Sequence, residues 1–224
     1  MGLFNKKEVT KNFRYYFAEI IVVVIGIFIA IQLNNLNENR KSKKEEQKSL
    51  KRIYSDLETE KKLLQASVNE IKKSSSFLKE VVFENKRDNL DSLYIHASQT
   101  FFHYKFNSEY INLKYSGKLN LITNERLRFL LVRYYEAGYT FYQETSKLHR
   151  KFTEEKINTY FKDEFPRDTT NLLQSKLVFD KLKSQKLTNI LIDQLNEYNY
   201  LLGGIRVNET EFLLETIKNE IKEN

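Results

Sequence analysis

The sequence predicts an all-α protein: an N-terminal transmembrane helix, a long juxtamembrane helix and an antiparallel helical bundle. Three observations point there. A dense apolar block lies near the start of a chain whose mean hydropathy is only -0.57. The 224 residues hold one Pro and six Gly, too few breakers for a many-turned β fold. Apolar residues then recur at steps of three, four and seven, and strand-like alternation persists nowhere.

The block is "AEIIVVVIGIFIAIQLNNLNENRKSKK". From Tyr15 to Leu33 it carries one charge, Glu19, and one amide, Gln32. A helix of that length spans roughly 28 Å, close to the hydrocarbon thickness of a bilayer. Tyr15 and Tyr16 stand at one end as interfacial aromatics do, and Lys/Arg flank both ends. A cleaved signal peptide would need small residues after the apolar core, where Gln32-Leu33-Asn34-Asn35-Leu36 stand. A soluble core helix would keep a polar side, and Ile/Val occupy every face. A single-pass anchor fits best. The expected segments are a basic tail (1–14), a transmembrane helix (15–34), a juxtamembrane helix or stalk (35–85) and a bundle domain (86–224).

Glu19 has two readings. At the helix N-terminus the dipole favours a negative charge, with Lys11 and Arg14 nearby. A few ångströms deeper it would contact a partner helix. Gly26 and Ala30 form a minimal small-xxx-small pair for helix association. These three are the candidate intramembrane contacts.

Charge supports this layout. Residues 1–52 hold eleven Lys/Arg and five acids, while the remaining 172 hold 26 bases and 25 acids, out of a formal net charge of +7. The basic character is a collar around the apolar block. A nucleic-acid module would carry it on its folded domain, so no nucleic-acid partner is expected. The absence of cysteine excludes disulfides, thiolate metal sites and cysteine nucleophiles. Orientation is weighed two ways. The Lys/Arg count favours the C-terminal side in the cytoplasm, but a short basic tail resists translocation and a long domain does not. The favoured placement is the inner membrane with a periplasmic bundle; a cytoplasmic bundle is the alternative.

Glu19, Ile20, Val24, Ile25, Gly26, Ile27, Gln32, Asn34, Asn35, Asn37 and Glu38 form a pattern that resembles the N-terminal signature of an uncharacterised family of Bacteroidota single-pass membrane proteins, with a domain of unknown function. Ala18 and Leu36 depart from it, where Gly and Trp are usual. "YINLKYSGKLNLITNERLRFLLVRYYE" resembles the family's Leu-Lys-x-Ser-Gly turn and following helix. The resemblance implies a single-pass protein of a Gram-negative envelope and no activity.

Beyond the anchor, Leu50, Leu57, Leu64, Ile71 and Leu78 recur every seven residues. The accompanying track is mixed: Ile53 and Val81 are apolar, Glu60, Ser67 and Ser74 are not. Half a coiled-coil seam reads better as one amphipathic helix lying on the bundle than as self-association. Asp91 or Ser92 is expected to cap a short helix, and Asn107 or Ser108 the next, closed by Gly117. From Thr123 a sustained seam runs through Leu127, Leu131, Tyr134, Gly138, Phe141, Thr145, Leu148 and Phe152. Gly138 suggests close approach of a neighbouring helix, and Pro166 ends the segment. A last stripe takes Leu191, Leu195, Tyr198, Leu202, Ile205, Phe212 and Thr216, with Gly203-Gly204 marking a kink or break.

No catalytic motif emerges. His96 and His103 are seven apart, not the four that places two metal ligands on one helical face, and His149 is remote; all three read as packing or surface residues. No phosphate loop, nucleophile elbow or metal-binding pair occurs, so no enzyme activity, metal or cofactor is expected. The aromatic runs "FFHYKF", "YY" and "YTFY" read as Trp-free core filling. Tyr135, Tyr139 and Tyr142 fall off the seam and are the candidate interaction surface. The expected role is a membrane-anchored interaction or scaffold module of the cell envelope, its partners the bilayer and either another protein or a second copy. A ligand-binding sensor ectodomain signalling through a partner membrane protein is the alternative.

Overall fold

The computed structural model describes residues 6–87, 89–165 and 179–223, and it is all-α: no strand occurs among them. Pro166 lies outside the described residues. The first helix, α1 (Lys6–Phe83), begins inside the segment read as a basic tail. Two compact units are present, one reaching to Lys48 and the other Ser49–Glu223.

In the first unit, every residue from Glu19 to Glu45 is exposed. An 18-residue window here has mean hydropathy 2.1 with none of it buried, so α1 is long and apolar enough to cross a membrane.

The second unit is built from four antiparallel rods. The first is α1 from Ser49 onward. Leu50, Leu57, Leu64, Ile71 and Leu78 are all buried, and so are Ile53, Glu60, Ser74 and Val81 of the other track. The segment grouped by sequence with the stalk is therefore a core helix, with Ser49, Glu60, Ser74 and Ser75 among its buried side chains and Ser67 half-buried. The rod ends where Asn85 takes a left-handed φ of 58°, which Asn tolerates through local hydrogen bonding.

The second rod runs back along α1 as α2 (Leu90–Ala97), an irregular stretch 98–107 and α3 (Ser108–Tyr115). Asn89, not Asp91 or Ser92, caps α2, its Oδ1 accepting the Ser92 N–H at 2.8 Å. Gly117 closes α3 at φ 69°, with Lys118 N–H to Leu113 O at 2.8 Å and Gly117 N–H to Lys114 O at 3.2 Å. That paired pattern is the left-handed helix stop that glycine favours.

The third rod is α4 (Glu125–Val132), a π-helical turn Arg133–Gly138, α5 (Tyr139–Phe152), a second π-helical turn Thr153–Asn158, and α6 (Thr159–Glu164). Asn124 caps it through Leu127 N–H at 3.0 Å. A π turn closes i to i+5 and so needs an extra residue to come round. The buried stripe therefore steps by fours through Leu131, Tyr135 and Tyr139, then runs on through Tyr142, Ser146, His149 and Thr153. The seam foreseen through Phe141 and Leu148 is displaced by one residue, and both side chains are exposed.

The fourth rod follows α7 (Phe179–Leu182) as α8 (Gln185–Gly204) and α9 (Val207–Glu223). The break sits at Ile205 and Arg206. It resets the helical phase, so Leu213, Leu214 and Ile217 are buried and Phe212 is exposed. Tyr160 to Ser184 at 2.9 Å, Tyr134 to Thr210 at 2.7 Å and Asn124 to Glu220 at 2.6 Å fix its antiparallel register on the third rod. The close helix approach falls at Gly204, where a Cβ would meet Phe141 at 3.4 Å. Gly138 instead accommodates the Arg206 side chain, whose Nη1 would stand 3.4 Å from a Cβ.

Ser184 caps α8 through Leu187 N–H at 3.1 Å and also meets Tyr160. Ser184→Ala is expected to cost about 1 kcal/mol in urea unfolding of the full chain in detergent, and Ser184→Asn to cost less.

Two apolar cores result. One gathers Ile71, Leu78, Leu93, Phe161, Leu191 and Tyr198 with their neighbours. The other gathers Leu50, Leu57, Leu127, Leu131, Tyr134 and Leu213 with theirs.

Candidate functional site

At the level of Glu60 three of the four rods are irregular together: the second in its open stretch 98–107, the third in its π turn, the fourth at its break. Glu60, His103, Tyr134, Gly138, Tyr139, Tyr142, Gly204 and Arg206 surround a cavity of about 10 Å³, no larger than one water. Only α1 passes this level unbroken.

Glu60 is 1% exposed. Its Oε2 accepts the Tyr139 hydroxyl at 2.5 Å, and its Oε1 lies 3.2 Å from His103 Nε2. Tyr139 Oη in turn accepts the Phe106 N–H at 3.2 Å, tying the irregular stretch to α5. Burial pushes the Glu60 carboxyl up to about 7, with the Tyr139 and Tyr134 hydroxyls favouring the carboxylate and the Asp56 charge opposing it. Burial, aided by Lys105, pushes the His103 imidazole down to about 4. Burial and the Glu60 charge raise the Tyr139 phenol. At neutral pH the imidazole is thus uncharged, and the one group poised to exchange a proton is Glu60. Ionised, it accepts from His103 Nε2–H; protonated, it donates to Nε2. The tautomer follows the carboxyl.

His103 Nδ1 and Tyr142 Oη are buried without hydrogen-bond partners among the described residues. Both residues line the one-water cavity; His103 also lines a second pocket of about 220 Å³ between α1 and the irregular stretch, together with Glu60, Glu70, Phe102, Tyr104 and Phe106 among others. No set of three or more His, Asp or Glu that could hold a metal occurs among the described residues.

The proposed surface of Tyr135, Tyr139 and Tyr142 is corrected: all three are core, at 5%, 3% and 2% exposure. The displaced stripe through the π turn brings them in, and Phe141 goes out in their place. Glu19 and Ala30 are exposed, and a Cβ on Gly26 would meet nothing within 4 Å. Spacings of seven and four put the three on one face of α1. His149 is buried and the His103 side chain is 4% exposed, as in packing residues.

Glu60 escaped the sequence reading as a mere interruption of a seam. The usable signal was its position: a carboxylate in a core track, flanked on the other track by Leu57 and Leu64. His103 carried a weaker one, a lone imidazole inside an aromatic run.

No protein-family model, curated protein or solved structure matches the chain.

Proposed function

We propose that the protein is a membrane-anchored helical interaction module of the cell envelope, with its bundle held at the membrane by the N-terminal part of α1 and no catalytic role. The observation that supports this is the uncovered apolar stretch of α1. Ile20, Val24, Ile27 and Ile31 are each more than half exposed, at a cost in water of about 25 cal/mol per Å² that a bilayer would remove. The anchor sits in the inner membrane with the bundle on the periplasmic side, and Glu19, Gly26 and Ala30 form the face open to a second span.

Alkaline extraction of membranes from cells expressing the full chain tests the anchor. The chain should stay in the pellet, and Val24→Arg with Ile27→Arg should move it to the supernatant. Release of the unaltered chain would sink the reading. A Cys added after Asn224 then reports the side, being labelled by an impermeant thiol reagent before lysis if the bundle is periplasmic.

A second reading is a ligand-binding sensor. The pocket beside His103 favours it, since it is lined by Phe and Tyr rings and reaches a buried titratable group.

A further inference from the structure

We infer that the pocket between α1 and the irregular stretch 98–107 binds a linear aliphatic polyamine, with an ammonium group toward each end. The inference rests on the ligand-binding reading of that pocket and is independent of the anchor. Its floor is one face of α1: Glu60, Leu63, Leu64, Ser67 and Glu70 all line it. Ten residues of helix place the backbone positions of Glu60 and Glu70 about 15 Å apart along the axis, so the pocket is a trough with an acid toward each end.

The second rod runs antiparallel over this floor. Phe106 lies at the Glu60 end, held there by its N–H on Tyr139, and Gln99 belongs to the other end. Phe101, Phe102 and Tyr104 line the space between. No Lys or Arg lines it among the described residues, and His103 is held neutral by burial. Two acids and several ring faces line it, with Lys105 felt at His103 but outside the lining, and such a lining selects a cation with an apolar body.

His103 adds a directed contact. With Nε2–H given to Glu60, its Nδ1 is a buried acceptor with no partner, on a side chain 4% exposed. An ammonium N–H at this end satisfies it, and leaving such an atom unpaired is costly. A volume of about 220 Å³ is below that of ordinary drug-sized sites and suits a thin chain.

Calorimetric titration of the full chain in detergent at constant ionic strength tests this with three probes. Spermidine spans the trough, putrescine is too short, and tetraethylene glycol has length without charge. Spermidine should bind at least tenfold more tightly than putrescine, and the glycol not at all. Glu60→Gln and Glu70→Gln should each weaken spermidine at least fivefold and erase its lead over putrescine. Glu70 is exposed, so its variant keeps the test valid if the buried one folds poorly. Equal affinity of the two amines, or indifference to Glu70→Gln, overturns the two-ended polyamine. Glycol binding as tight as spermidine overturns the cation and leaves the ligand-binding reading standing. No binding of any probe at 10 mM (a free energy weaker than about 3 kcal/mol) overturns the polyamine.

Discussion

Glu60→Gln raises the melting temperature much more at pH 8 than at pH 5. The folded carboxyl titrates at about 7 against 4.5 for the ordinary group. Between those values the folded protein holds a proton that the unfolded chain has released. Stability therefore falls as pH rises through this window and stays low above it. The interval amounts to roughly 3 kcal/mol, or roughly 6–12 °C for a chain of this size. Gln keeps an acceptor for Tyr139 and carries no charge to desolvate, so the variant escapes the loss.

The groups around Glu60 are Asp56 on its own helix, His103 from the second rod, Tyr134 and Tyr139 from the third and Arg206 from the fourth. Arg206 is engaged by Glu209 at 2.6 Å. His103 and His149, both held near 4 by burial, act with the opposite sign: below about 6.5 the unfolded chain takes up protons that the folded one refuses. Comparing variant with parent by calorimetry removes their share, because both proteins keep these imidazoles neutral from pH 5 to 8. A difference that is equal at the two pH values would refute the buried-acid account.

Phe161→Ala removes a fully buried ring of the first core and should cost about 3–5 kcal/mol. The side chain is fully buried. It stacks on Phe165 with ring centroids 5.3 Å apart, meets Tyr94 at 5.1 Å and Tyr160 edge-on at 6.0 Å. Three rigid rings packed around Phe161 leave little that can move into the space, so the void persists. The urea midpoint of the full chain should fall with an unchanged slope, and a shift worth under 1 kcal/mol would mean that the site collapses. Phe161→Leu should fall between the two proteins.

Fold class, the apolar N-terminal segment, the stop at Gly117 and the heptad of α1 were legible because they depend on local periodicity and on glycine, and Gly203-Gly204 marked the nearby break at Ile205 and Arg206 to within two residues. The candidate site was not, and the reason is specific. A helical wheel assumes a constant turn, and the third rod departs from it twice. Tyr139 is pointed at Glu60 by a π turn whose residues, Arg-Tyr-Tyr-Glu-Ala-Gly, look like ordinary helix. The fourth rod loses phase in the same way at Ile205 and Arg206. Glu60 itself was read correctly as helical, but its burial depends on three other rods being irregular at one level, which no single stretch of sequence encodes.

The division into two cores has a consequence for the order in which the chain can be completed. The core around Phe161 uses nothing beyond Leu201, apart from the half-buried Leu202 and Ile205 at its edge. The core around Leu127 needs Leu213, Leu214 and Ile217 from α9 to cover residues as early as Leu50 and Ile53. The first can therefore close before α9 has docked. The second must wait for α9, and until then its share of α1 and the ring of Tyr134 stay open to chaperones, proteases or another chain.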